Sequence, residues 1–322
     1  MLINYSNNSK IILDLNKQDE DGFYPLLLAT NRDNIEIVKL LNEYANKNNI
    51  VLKINEQNKK GNYPLLSATN NNNIEMIKLL IDYANKNNII LKINEADDNG
   101  NYPLLLATSI NNIEAVKLLI DNANKSNIVL KINEQTKNGD NPLLFATSNN
   151  NIEIVKLLID YANKNNIVLK MNDQVLFKVI EKGNIDLVKY IVEHGANINK
   201  EIENGETPVF KAIESGNMDI VEYLVEHGSD INKKNRNNET PVFGACKSGN
   251  KHIVECLVEH GADINKENKD GETPLFKACE SENKELLEYL VEHGADINKE
   301  NKYNETPLLK ACIRRNKDLV EY

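Results

Sequence analysis

The sequence predicts an all-α solenoid of stacked helix-turn-helix units with projecting turn fingers. Three observations carry that prediction. The eight prolines, Pro25, Pro64, Pro103, Pro142, Pro208, Pro241, Pro274 and Pro307, are spaced by 39 residues early in the chain and by 33 later. The one 66-residue step, from Pro142 to Pro208, is two steps of 33, and its midpoint is Val175. Glycines keep the same periods, as in Gly22, Gly61, Gly100 and Gly139 and again in Gly195, Gly228, Gly261 and Gly294; only Gly244 lacks a recurring slot. An asparagine recurs once per unit, at Asn34, Asn73, Asn112, Asn151, Asn184, Asn217, Asn250, Asn283 and Asn316. A fixed period across 322 residues means stacked supersecondary units, not the two compact domains that length alone suggests.

Each element of a unit has a local reason. In Asp270-Gly271-Glu272-Thr273-Pro274 the Asp-Gly pair supplies a tight turn. Thr273 is then expected to cap a helix starting at Pro274, where the missing N–H costs nothing. The recurring Asn suits the N-cap of a second helix, and acids such as Glu36, Glu75, Asp186 and Asp219 favour its first turn. From Ile185 to Glu193 the apolar residues fall at helical spacing, and Gly195 supplies a left-handed stop. The long units carry Tyr44-Ala45, Tyr83-Ala84, Asn122-Ala123 and Tyr161-Ala162 where later units have His-Gly. Their second helices are therefore expected to run on for a turn or more. An apolar extended tag such as Ile50-Val51-Leu52-Lys53-Ile54 follows.

The units resemble ankyrin repeats, whose pattern runs D-x-x-G-x-T-P-L-H and closes on G-A-D-x-N. Asp270-Gly271-Glu272-Thr273-Pro274-Leu275-Phe276 and His293-Gly294-Ala295-Asp296-Ile297-Asn298 follow it closely. The family's His after Pro-Leu is replaced by Phe210, Phe243, Phe276, Leu309 or Leu27, so the Thr–His bonding typical of the family is lost. The resemblance covers nearly the whole chain. Residues 1–18 read as the tail of a preceding repeat, followed by long repeats at 19–57, 58–96, 97–135 and 136–171. Shorter repeats follow at 172–201 (with its finger shortened), 202–234, 235–267 and 268–300, and 301–322 is an incomplete ninth. Both ends fall inside a repeat, and we expect the chain to be a segment of a longer array.

Composition excludes several functions. The net charge of −10 argues against phosphate-backbone recognition, so nucleic acid is not an expected partner. No apolar run reaches the ~18 residues of a membrane span, and no signal-peptide pattern opens the chain. Four cysteines are no disulfide scaffold, so the expected setting is intracellular and cytoplasmic. His194, His227, His260 and His293 share one slot 33 residues apart, too widely spaced across stacked helices for one metal; helix-end stabilisation explains them. Cys246, Cys279 and Cys312 occupy a recurring core slot, and Cys256 sits where other units have Tyr. The acidic turns at Lys17–Gly22 and Glu95–Gly100 place a Gly sixth but fail as calcium loops, because their twelfth places are Leu28 and Leu106. Phosphate-loop, dinucleotide and nucleophile-elbow motifs do not occur. Carboxylates recur with the period, whereas acid–base catalysis needs one unique pair. Neither an enzyme nor a cofactor is expected.

A surface remains. By position, the resemblance implies a groove lined by the turn fingers and first helices, and there the side chains change from unit to unit. Two readings stay open for that variation: a differentiated binding face, or unselected change at solvated positions. Phe23, Ile110, Tyr303 and Ile313 are the candidate partner-binding anchors, with Arg32 and Arg314 as polar companions. Residues 1–170 hold 18 basic and 19 acidic side chains, and residues 171–322 hold 20 and 29. The later units thus favour a basic partner segment. The expected function is a non-catalytic protein–protein interaction scaffold binding along the concave face. The alternative is a regulatory or targeting module of a larger enzyme or channel.

Overall fold

The computed structural model describes residues 2–9, 11–171, 174–281 and 283–313, with only the backbone of residues 4, 5, 7 and 8. Every regular element among them is an α-helix. The chain divides into two compact units, Met1–Lys170 and Met171–Tyr322, at the point where the 39-residue period gives way to 33. Asn172 and Asp173, where the sequence predicts a shortened finger, lie outside the described residues.

In the N-terminal unit short first helices, such as Pro25–Asn31, Pro64–Asn70, Pro103–Ser109 and Pro142–Ser148, pack on one another and on their own second helices. The second helices Ile35–Lys47, Ile74–Lys86, Ile113–Lys125 and Ile152–Lys164 have 13 residues each. Their counterparts in the C-terminal unit, such as Ile185–Glu193 and Met218–Glu226, have 9. Replacing His-Gly by Tyr-Ala or Asn-Ala thus adds about one turn, as the sequence predicts. The stop itself comes from a residue the sequence reading passes over. Asn49, Asn88, Asn127 and Asn166 take positive φ of 52–55°, doing the work that glycine does later. The tags then run without regular structure, burying Leu52 and Ile54 while leaving Val51 exposed.

The recurring asparagines behave as predicted at eight positions. Asn34 accepts from the Ile37 amide at 3.0 Å, and Asn73, Asn112, Asn151, Asn184, Asn217, Asn250 and Asn283 cap their helices the same way. The ninth, Asn316, lies outside the described residues. Several also tie repeats together: the Asn151 amide donates to Asn111 Oδ1 at 2.7 Å, and that of Asn283 to the Gly249 carbonyl at 2.9 Å.

A second set of asparagines clamps neighbouring repeats through both ends of the side-chain amide. Asn55 donates to the Ile90 carbonyl at 2.7 Å and accepts from the Lys92 amide at 3.0 Å. In the C-terminal unit Asn232 holds the Gly261 carbonyl and the Asp263 amide in the same way, at 3.0 Å each. One amide therefore satisfies two backbone groups that the irregular tag would otherwise leave open.

Two sequence expectations are corrected. Thr207 and Thr240 stand at N-cap positions but make no side-chain cap, and Oγ1 of Thr207, Thr240 and Thr273 is buried without a hydrogen-bond partner. The amide each would cap is already taken by the threonine's own carbonyl, as in Phe243 N–H to Thr240 O at 2.9 Å. The phenyl ring two residues past the proline, buried at Phe210, Phe243 and Phe276, offers no polar partner either. Cys312, expected in the same core slot, is exposed, unlike Cys246 and Cys279.

Candidate functional site

The fingers are small closed loops. At the tip Asp97 accepts from the Asn99 and Asn101 amides through Oδ1, at 2.9 and 2.8 Å, while its own N–H donates to the Asn101 carbonyl. Neighbouring fingers are joined by backbone bonds: Lys59 N–H to Asp21 O, Arg236 N–H to Asn204 O, Lys269 N–H to Asn237 O and Lys302 N–H to Asp270 O, at 2.8–2.9 Å. The approach is close enough to dictate a residue. Gly61 has φ of 77°, and a Cβ there would lie 2.7 Å from Asp97 Cα.

Two hollows open on the face formed by fingers and first helices. One, of about 410 Å³ in the N-terminal unit, is lined by residues including Asn99, Leu105, Leu106, Lys137 and Phe145. Here adjacent fingers are parted, and a Cβ on Gly100 would meet nothing within 4 Å. The larger, of about 660 Å³ in the C-terminal unit, has Phe210 and Ile213 at its floor and Glu206, Glu214, Glu239, Gly244 and Lys247 around it.

Charge on this face is organised by a recurring Lys–Glu pattern. Lys178 meets Glu181 at 3.0 Å and Lys211 meets Glu214 at 2.9 Å. Around the Pro274 helix the pattern closes into a network. Lys277 lies 2.8 Å from Glu272 and 3.9 Å from Glu280, and Lys310 lies 3.6 and 3.5 Å from the same two carboxylates. Burial pushes the Glu272 carboxyl up, but Lys277, Lys310 and Asn268 together hold it below the usual carboxylate range.

The sequence-predicted residues are placed as follows. Phe23 is half-buried in the first finger, its N–H bonded to Asp19 Oδ1 at 2.8 Å. Arg32 is exposed and Ile110 half-buried, each at the end of a first helix. Tyr303 and Ile313 are 69 % and 59 % exposed, and Arg314 lies outside the described residues. Phe23, Arg32 and Ile110 belong to one unit, Tyr303 and Ile313 to the other, and none of the five lines either hollow. Arg32 and Ile110 also share a slot with a structural duty: Asn71 and Asn149 there donate to the Thr30 and Thr108 carbonyls at 2.9 and 3.0 Å. The residue that sequence reasoning left unused is Gly244, whose lack of a recurring slot was the available signal.

The four in-phase histidines face backbone. Nδ1 of His194, His227, His260 and His293 lies 2.7–2.8 Å from the carbonyl four residues earlier. A carbonyl only accepts, so Nδ1 carries the hydrogen and secures the helix end. Among the described residues no group of three or more His, Cys, Asp or Glu side chains is placed to hold a metal ion. No helix among them is long and apolar enough to cross a membrane. Burial pushes the Cys279 thiol up to about 12, far from a reactive thiolate.

Paired antiparallel helices with projecting fingers, repeated in register, define an ankyrin-type interaction module. A family model described as ankyrin repeats (3 copies) matches residues 2–90, 49–129, 87–171, 128–202, 162–235 and 242–322. The chain belongs to the ankyrin-repeat family. No curated relative matches it. Ankyrin repeats generally serve as protein–protein interaction modules and are typically non-catalytic.

Proposed function

We propose that this chain is a non-catalytic scaffold that holds a protein partner along the face formed by its fingers and first helices. The observation that carries this reading is the division of labour between surfaces. Capping and clamping side chains repeat with the period, whereas the slot six residues past the proline reads Asn31, Asn70, Ser109, Ser148, Glu214, Lys247, Glu280 and Ile313. Both hollows open on that variable face. Phe23, Arg32 and Ile110 in one unit, and Tyr303, Ile313 and Arg314 in the other, are the proposed contacts, and the acidic later repeats suit a basic partner segment. Four free thiols support an intracellular setting.

Site-specific photo-cross-linking tests the reading. A photoreactive residue at Asn70 or Ser248, on the face, should capture a partner from lysate. The same residue at Asp160 or Glu222, exposed on second helices, should not. Capture from the second helices alone would overturn the proposal.

A further inference from the structure

The hollow beside Gly244 is a position where the chain lacks one of its own lysines. The residue three past the first-helix proline, or past Val175, is Lys178, Lys211, Gly244, Lys277 and Lys310 in successive repeats. Lys310 shows what the side chain does there: its ammonium sits 3.6 Å from Glu272 and 3.5 Å from Glu280, both on the preceding repeat. Two repeats earlier, 66 residues back at every position, the same arrangement is Gly244 facing Glu206 and Glu214. Lys211 meets Glu214 at 2.9 Å, as Lys277 meets its own pair, but the second cation is missing. Among the described residues no cation lies within 4 Å of the Glu206 carboxylate. In place of the lysine stem there is a hollow of about 660 Å³ above Phe210 and Ile213.

We infer that this hollow is a subsite for a lysine side chain from a basic polypeptide partner. The ammonium would sit between Glu206 and Glu214, with Glu239 also lining the site, and the methylene stem would lie over Phe210 and Ile213. Lys247 stands where the neighbouring repeats have Glu214 and Glu280, is exposed, and makes no ion pair with any other described residue. Its charge opposes the incoming lysine, so Lys247→Glu should strengthen binding. The inference rests on the binding face proposed above and assigns one position on it.

The decisive variant is Gly244→Lys, which restores the missing cation from within the chain. A Cβ at 244 would be 3.6 Å from Ile213 Cγ2, an ordinary contact, and no positive φ has to be kept. The variant should therefore fold. The probe is the capped pentapeptide Gly-Gly-Lys-Gly-Gly, titrated at low ionic strength into the 322-residue chain labelled at isoleucine methyls, with a norleucine peptide as control. The Ile213 methyl should shift with the lysine peptide at least tenfold more readily than with norleucine. Gly244→Lys and Glu206→Gln should each weaken that response at least tenfold. Equal response to the two peptides, or undiminished binding by Gly244→Lys, would overturn the inference. The two proposals fail separately. If a partner cross-links from Ser248 yet Gly244→Lys binds the lysine peptide normally, the face stands and the subsite falls.

Discussion

The N-terminal and C-terminal units build the same repeat with different polar chemistry. In the N-terminal unit the residue before the first-helix proline is Tyr24, Tyr63, Tyr102 or Asn141; in the C-terminal unit it is Thr207, Thr240, Thr273 or Thr306. The tyrosines fasten the end of their own repeat, Tyr63 OH donating to the Glu95 carbonyl at 2.9 Å and Tyr24 OH to the Glu56 carbonyl at 3.0 Å. Burial, with nearby acids, drives these phenols well above their ordinary range, so they stay donors at any working pH. Three of the threonines instead bury a hydroxyl that bonds to nothing. Second-helix tyrosines repeat the contrast. Tyr83 and Tyr161 accept from the Leu52 and Leu130 amides at 2.9 and 3.0 Å, while Tyr223 and Tyr289 have unpaired buried hydroxyls and stack on His227 and His293. One slot can be a tie between repeats or mere filling, and the family pattern does not say which.

Substitutions can break or sharpen that contrast. The largest effect belongs to finger packing. Gly61→Ala should destabilise the N-terminal unit by about 3 kcal/mol, combining left-handed strain with a collision against Asp97. Gly100→Ala has the strain but no neighbour to strike and should cost only about 1 kcal/mol. Urea denaturation followed by circular dichroism measures both, and equal costs would show that finger contact is irrelevant.

Next come the second-helix ties. Asn122 occupies the Tyr83 slot, is buried, and leaves its Oδ1 unpaired. Asn122→Tyr should stabilise the protein by about 2 kcal/mol, by removing an orphan acceptor and supplying a hydroxyl. A loss of stability would mean the slot cannot take the phenol.

At the pre-proline slot the two units should respond with opposite signs. Tyr63→Phe should cost about 1–2 kcal/mol, while Thr240→Val, which deletes a buried unpaired hydroxyl, should gain about 1 kcal/mol. Gly244→Lys should also gain about 1 kcal/mol from helix propensity alone. That gain separates its expected binding defect from misfolding.

The smallest effect is a pH dependence confined to the C-terminal unit. Glu272 is held below the ordinary carboxylate range, so its stabilisation is present above that range and lost as pH falls through the depressed value. Glu272→Gln should flatten stability against pH below about 4.3, the unperturbed glutamate value. An unchanged acid slope would show that the Lys277–Lys310 network contributes nothing.

Much of this fold is legible in the sequence because repetition averages out local ambiguity. The proline phase locates the first helices, the recurring Asn locates the second, and Tyr-Ala in place of His-Gly marks the longer helix. The left-handed asparagines were visible too, as Asn48-Asn49 and Asn87-Asn88 recurring at 39, but asparagine is common enough here to hide a stop among loops. The threonine caps misled because the motif gives the residue at the slot and not which acceptor has already taken the amide. The hollow at Gly244 needed three dimensions. An out-of-phase glycine is visible in one repeat, but two of its carboxylate neighbours, Glu206 and Glu214, belong to the repeat before it.

Hydrogen exchange on the full chain, with and without a cross-linked partner, tests the central claim most directly. Added protection is expected over the fingers and first helices, above all at residues 202–215 and 235–248, with the second helices unchanged. Protection confined to second helices such as Met218–Glu226 and Lys251–Glu259 would contradict it.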